Sequence, residues 1–274
     1  MLRVGRVLDK QGVARMVRVV DDSTLQPIAG NIFSSFYDQG DALSIQDVRI
    51  LSPILPSKIV GIGSNYKKHI EEMGREVPKQ PKIFLKPNTS VIGNMDAIQV
   101  PPGTDRVDHE VELGIVIGTH CQRVSVEDAW DCILGYTIVN DVTARDFQKQ
   151  DGVFARAKGF DSFCPIGPWI LLVQEEGAKN NPDSPLRQAR NIQCWVDDIL
   201  RQDSTTADLL FSIPELIAFV SNVMTLLPGD IISTGTPAGV GPLVDGNLVK
   251  MHIEGIGELS NPVVNREDRC LLNS

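Results

Sequence analysis

The reading turns on residues 107–118, VDHEVELGIVIG. Their run of Val, Ile and Leu predicts a buried strand. Glu110 and Glu112 interrupt it at a spacing of two. Side chains alternate along a strand, so both carboxylates share a face. Two like charges on one apolar strand are costly unless something compensates them. Val111, Leu113, Ile115 and Ile117 line the other face, while Val116 and Gly114 continue the face of the glutamates. Apolar residues on both faces favour burial of both. The competing reading, in which the glutamates line the wet side of an edge strand, is the weaker one.

Working outward, a third carboxylate stands at the end of another apolar strand, GYTIVND, where Asp141 begins a turn. Glu110, Glu112 and Asp141 form an oxygen-only set with no His or Cys. Such a set selects a hard cation, Mg²⁺, Mn²⁺ or Ca²⁺, over zinc. A cation held by a few carboxylates keeps open positions for water or substrate oxygens, which suits catalysis better than a closed structural cage. His69 and Glu72 lie three apart in KKHIEE and share a face if that segment is helical. A His–Glu pair can activate water, although a surface pair is the stronger reading of so polar a stretch on its own. Lys158, in RAKGFDSF, reads alone as a surface lysine.

The 274 residues are 42% apolar and 22% charged, enough for a sizeable core in a chain of ordinary globular composition. The formal net charge of −9 argues against nucleic acid and against adsorption to anionic membranes. Five cysteines with no CxxC pair imply buried or free thiols rather than a zinc ribbon or disulfide framework. The N-terminal MLRVGRVLDKQGVARM has no long apolar core and no apolar run could span a membrane, so a cytoplasmic protein is expected.

The chain reads as mainly β with few helices. Residues 1–54 form a small β-rich unit of alternating segments and polar turns, with SPILPSK at 52–58 as a linker, and residues 55–274 form the main domain. SNYKKHIEEMG predicts a helix capped by Ser64 or Asn65 and ended by Gly74. VSVEDAWDCI predicts a second, started by Ser125 and Asp128. SIPELIAFVSNVMTL predicts the best helix, with Ser212 and Glu215 as a capping box, Pro214 in its first turn, and Leu216, Phe219, Val220 and Val223 on one face. The segment 175–187 predicts a polar surface loop. GIGSNY has Tyr66 where a dinucleotide fingerprint needs its third glycine, and GTPAGVG lacks the GK[ST] of a P-loop. The latter could cradle an anion through backbone N–H groups, or simply form a tight turn.

Taken in order, GIGSNYKKHIEE, KIFLKP, DHEVELGIVIG, GYTIVNDVTARDFQ, AKGFDSFCPIGPW and LLPGDIISTGTPAGVG resemble the fumarylacetoacetate hydrolase family over roughly residues 56–265. The resemblance implies a mixed β-roll preceded by a small N-terminal β domain, assembled as a homodimer. It implies Glu110, Glu112 and Asp141 as ligands of Mg²⁺ or Mn²⁺, and His69 with Glu72 as a water-activating dyad. It further implies Arg145 and Gln148 as contacts to substrate oxygens, Lys158 facing the bound acid, and Thr236 near the substrate carboxylate.

Larger members of the family carry an additional acidic ligand ahead of the histidine, and GIGS at 61–64 has none. That departure resembles the shorter members: acylpyruvate hydrolases, oxaloacetate decarboxylases, and the isomerases and decarboxylases acting on 2-hydroxyhepta-2,4-diene-1,7-dioate and related 2-hydroxymuconate-type acids. It argues against fumarylacetoacetate itself. The expected activity is therefore metal-dependent hydrolysis of a C–C bond in β-diketo acids, through a metal-stabilised enolate. Decarboxylation or isomerisation on the same site is the alternative. A catalytically idle, dimeric organic-acid-binding domain is the non-enzymatic one, opposed by the fact that every implied site position is filled.

Overall fold

A computed structural model of the chain describes residues 1–74, 76–173, 181, 184 and 187–266. The strand Val111–Ile117 lies inside its largest sheet, and all seven residues are buried. The strand pairs antiparallel with Ile133–Asn140 on one side, setting Glu112 opposite Val139. On the other side it pairs antiparallel with Ile231–Ser233, setting Gly114 opposite Ser233. With both edges paired, the edge-strand reading of the two glutamates fails, as apolar residues on both faces of a central strand require.

The sheet is mixed. Ile231–Ser233 runs parallel to Ile59–Gly63, which pairs antiparallel with Lys82–Lys86. In the other direction Ile133–Asn140 leads to Cys164–Leu172 and then to Arg3–Leu8. Ala14–Val19, Thr24–Gly30 and Phe36–Asp38 follow as an antiparallel meander. The N-terminal strands thus hydrogen-bond directly to the sheet that carries Glu112, through Arg3↔Leu171 and Val4↔Ile170. A five-stranded sheet and a three-stranded one complete the β-roll. The smaller joins Val107–His109 to Thr143–Ala144 and Gly241–Leu243.

Four short α-helices occur among the described residues: α1, Lys67–Glu72; α2, Arg145–Asp151; α3, Ala155–Gly159; and α4, Ile213–Val223. None is long and apolar enough to cross a membrane. The chain is mainly β, as expected. The main core packs Ile62, Leu113 and Ile115 against Leu216 and Val220 of α4 and Met251 of the five-stranded sheet. Each such burial contributes about 1.5–3 kcal/mol, which fixes the strands whose ends carry the acidic groups.

Local expectations hold in part. Gly74 ends α1 in the left-handed region at φ 61°. The helix begins at Tyr66 and not at Ser64 or Asn65, and no side chain caps it. Asn65 is occupied elsewhere: its Nδ2 donates to Thr234 O at 2.8 Å and its Oδ1 accepts from Phe211 N at 2.8 Å. VSVEDAWDCI forms only a 3₁₀ turn over Asp128–Cys132, although Ser125 Oγ does accept from Asp128 N. In α4 the Ser212–Glu215 capping box is present and Leu216 and Val220 are buried. Val223 is exposed, because the backbone becomes extended at Met224 and the predicted face ends there. Cys121, Cys132, Cys164 and Cys194 are buried free thiols. Cys270 and most of the predicted 175–187 loop lie outside the described residues.

Candidate metal centre and active site

Strand register brings the three carboxylates together. Glu110 occupies the one-residue break between the strands Val107–His109 and Val111–Ile117. Its N–H donates to Asn140 Oδ1 at 3.0 Å, and its carbonyl accepts from Asp141 N at 2.9 Å. Pairing of Val111 with Asn140 therefore sets Glu110 beside Asp141. Glu112 joins them by period-two spacing. One oxygen from each of the three lies within 4.8 Å of the others, and all three residues are buried.

The surrounding charges explain how the cluster survives burial. Lys158 of α3 donates through Nζ to Glu110 Oε2 at 2.9 Å and to Thr143 Oγ1 at 2.8 Å, and also to Asp141 Oδ2. Lys86 donates to Asp141 Oδ1 at 2.6 Å. Arg145 donates to Glu110 Oε1, to Asp108 Oδ2 at 2.7 Å, and to Gln148 Oε1 at 3.2 Å. Burial works against ionisation of Glu110, but Lys158 and Arg145 overcome it and hold the carboxyl well below its usual range. Burial likewise opposes the charge on Lys158, and Asp141 and Glu110 outweigh it, so its pKa is raised.

Glu112 is the exception. Its Oε2 accepts from Ser233 Oγ and from Gly235 N at 3.0 Å. Yet burial, then the charges of Asp141 and Glu110, push its pKa up to about 8. Its Oε1 accepts no hydrogen bond among the described residues. Three clustered carboxyl groups, one of them held mostly protonated at neutral pH by burial and its neighbours' charges, form the donor set that fits a hard divalent cation. The Lys158 ammonium already supplies one positive charge between two of them. Glu110, Glu112 and Asp141 are the residues that would hold the ion.

A carboxylate must lose its proton to bind a metal. Below pH 8 a proton competes for Glu112, so metal affinity should rise with pH by up to about tenfold per unit between roughly pH 6 and 8. Calorimetric titration of Mg²⁺ in buffers of different ionisation enthalpy should show release of about one proton near pH 7. Affinity independent of pH across that window would contradict the assignment.

His69 and Glu72 form a pair that runs from the interior to the surface, with Glu72 exposed. His69 is buried, and its Nδ1 lies 3.2 Å from Glu72 Oε2. Glu72 in turn accepts from Gly239 N at 3.0 Å. With Nδ1 donating to Glu72, the lone pair of His69 sits on Nε2, and the residue lines the same cleft as the triad. Backbone N–H groups of the glycine-rich GTPAGVG loop donate to the chain's own carboxyl groups: Gly235 serves Glu112 and Gly239 serves Glu72. Gly235 has φ 96°, and a Cβ there would lie 2.8 Å from Asn65 Cβ, so only glycine fits.

Lys158, Arg145, Gln148 and Thr236 also line the cleft. Thr236 Oγ1 donates to Val111 O at 2.9 Å and accepts from Gln202 Nε2 at 2.8 Å, so its hydroxyl proton is committed to the scaffold. Phe84 and Phe154 meet edge to face at 5.1 Å and line the cleft. Sequence reasoning missed Lys86, Ser233 and Gln202. Buried Gln202 accepts from both Val111 N and His109 Nδ1 and ties the strand to the 236–237 turn.

Comparison with known proteins adds a context. The family model described as fumarylacetoacetate (FAA) hydrolase C-terminal matches residues 58–264. A Mycobacterium tuberculosis protein is 44% identical over 270 residues, covering 97% of this chain and 99% of its own. A crystal structure of 2-hydroxyhepta-2,4-diene-1,7-dioate isomerase from Mycobacterium marinum superposes with a TM-score of 0.86 at 40% identity, covering 98% of this chain and 100% of that one. A structure of maleylpyruvate hydrolase from Sphingobium sp. SYK-6, in complex with manganese (II) ion and pyruvate, gives a TM-score of 0.76 at 32% identity, covering 97% and 100%.

Proposed function

From the premise that this chain belongs to the fumarylacetoacetate hydrolase family, we propose that it is a metal-dependent hydrolase cleaving a C–C bond in β-diketo acids of the acylpyruvate type. The observation that carries this reading is His69 on the wall of the cleft that holds the acidic triad, backed by Glu72, which Gly239 N in turn holds. Hydrolysis needs a base for water; decarboxylation does not.

A divalent cation held by Glu110, Glu112 and Asp141 would supply Lewis-acid polarisation of the keto acid's oxygens. Water gives a proton to His69 Nε2 and attacks the distal carbonyl carbon, and Glu72 holds the imidazolium that results. The bond from that carbon to the neighbouring methylene then breaks. Its electron pair passes into the keto acid fragment as an enolate, beside the ammonium of Lys158. Return of the proton to carbon gives an α-keto acid and a carboxylic acid. Arg145 and Gln148 orient the acid's oxygens. A homodimer acting in the cytoplasm on a small organic acid belongs to the same proposal, with residues 1–54 as an accessory β-rich unit on a 55–274 catalytic domain.

A second reading, isomerisation of a 2-hydroxy-dienoic acid, is favoured by the name of the 40% identical Mycobacterium marinum structure. It uses the same enolate and needs only proton transfer. Incubation with acetylpyruvate and Mg²⁺ separates the two: the proposal expects equal amounts of acetate and pyruvate and loss of turnover in EDTA. Absence of pyruvate, or an undiminished rate in EDTA, would overturn it.

A further inference from the structure

The strand Ile199–Thr205 forms one edge of the five-stranded sheet, and Ile199, Leu200, Arg201 and Asp203 are exposed on it. Gln202 alone in this strand is buried, and fully so. A buried amide costs free energy unless its hydrogen bonds are made, and here all of them are made. Oε1 accepts from Val111 N at 3.1 Å and from His109 Nδ1 at 3.0 Å. Nε2 donates to Thr236 Oγ1 and to Pro237 O, both at 2.8 Å. The orientation of the amide is fixed, because Val111 N can only donate and Pro237 O can only accept. Oε1 therefore faces the strand that carries the glutamates, and Nε2 faces the turn that follows Ser233.

Three of these groups close a ring. Val111 N donates to Gln202 Oε1, Gln202 Nε2 donates to Thr236 Oγ1, and Thr236 Oγ1 donates to Val111 O. Each link polarises the next. Val111 stands between Glu110 and Glu112. The near end of the turn is anchored without Gln202, since Thr234 N and Thr234 Oγ1 both donate to Leu113 O at 3.0 Å. Gly235, next to that anchor, keeps its hold on Glu112. Further along the dependence is complete. Among the described residues, every hydrogen bond tying residues 236–238 to the rest of the protein involves Gln202 or Thr236 Oγ1. Gly239 comes next, and its N–H holds Glu72, the partner of His69. Gly239 also lies directly on the backbone beside Gln202, where an added Cβ would meet Arg201 O at 2.0 Å.

We propose that Gln202 is a positioning residue: it clamps the 236–238 turn to the strand of the glutamates and so sets where the His69–Glu72 base stands relative to the acidic triad. Gln202 does not line the cleft and acts through Thr236, Pro237 and Gly239. The role rests on the reading of the cleft as a metal-dependent hydrolase site with His69 as base. Loosening the clamp shifts the base and leaves an acid held by the metal where it was, so kcat falls while KM and Mg²⁺ affinity hold.

The test compares the wild-type chain with two variants. Gln202→Met keeps the length and loses every hydrogen bond. Gln202→Glu keeps the shape and the acceptor for Val111 N but lacks the amide donors that hold the turn, and it carries the test should the first variant fail to fold. With acetylpyruvate and Mg²⁺, kcat is expected to fall by roughly 10–100-fold, the scale for a reacting group displaced by up to about 1 Å. KM and the calorimetric Kd for Mg²⁺ should each stay within about threefold of wild type. Amide hydrogen exchange at Gly239 should speed up by about tenfold or more, with Val220 of α4 unchanged. An unchanged kcat overturns the clamp. So does an equal loss of kcat and Mg²⁺ affinity, which marks general damage to the fold. If the wild type neither binds Mg²⁺ nor releases pyruvate, the functional reading fails by itself and exchange decides the clamp: selective acceleration at Gly239 upholds it, and unaltered exchange overturns it.

Discussion

Glu112→Gln is expected to leave the metal-free protein as stable as the wild type while removing Mg²⁺ binding and turnover together. The reason is the protonation state of Glu112. With its pKa pushed up to about 8, the side chain is largely neutral at pH 7 when no cation is present. A glutamine amide has nearly the same shape, and its oxygen can still accept from Ser233 Oγ and Gly235 N. Metal-free melting temperatures should therefore agree closely. Wild-type protein gains about 2.7 kcal/mol from an ion at a hundredfold excess over Kd, seen as a rise in Tm of a few degrees, and the variant should gain none. Loss of several kcal/mol of Lewis-acid stabilisation corresponds to a fall in kcat/KM of roughly 10³-fold or more. Asp141→Asn makes the contrast. It strips two buried ammonium groups, on Lys86 and Lys158, of a carboxylate partner, and breaking such pairs costs about 3–5 kcal/mol. A stable but metal-blind Glu112 variant beside a destabilised Asp141 variant is the expected pattern. Equal destabilisation in both would show that Glu112 is charged without metal.

His69→Ala is expected to lower hydrolysis of acetylpyruvate by about 10²–10⁴-fold, the range for removal of a general base. Mg²⁺ affinity should hardly change, since His69 is not one of the three clustered carboxylates. Decarboxylation of oxaloacetate, which needs no activated water, should be largely spared in the same variant. Glu72→Gln should fall between wild type and His69→Ala, because it weakens the orientation of the imidazole while Gly239 still holds the side chain. Coupled detection of pyruvate measures both reactions. Equal loss of hydrolysis and decarboxylation would remove His69 from the role of base.

The acidic triad was legible in the sequence because two local rules sufficed. Period-two alternation put Glu110 and Glu112 on one face, and the apolar run argued for burial. Asp141 followed as the end of a second buried strand. The partners that make the cluster tolerable were not legible, because they arrive from far along the chain. Lys86 reaches Asp141 across 55 residues, and Ser233 reaches Glu112 across 121. KIFLKP reads as a strand with a lysine at its edge, and nothing local turns that lysine inward. The same limit applies to the cap of α1: Ser64 and Asn65 have the right chemistry for an N-cap, but Asn65 satisfies backbone groups of the 211 and 234 segments instead. His69 and Glu72 looked like a surface pair because the sequence around them is polar. Burial of His69 and the contact of Glu72 with Gly239 depend on the path of the 235–239 turn, which the sequence marks only by its glycines.

Glu110, Glu112 and Asp141 are proposed as one divalent-cation site, at which Lys158 neutralises part of the charge. The most direct measurement is anomalous scattering from crystals grown with Mn²⁺. One anomalous peak per chain, bounded by oxygens of those three residues, is expected. No peak there, with Lys158 still bridging Glu110 and Asp141, would contradict it.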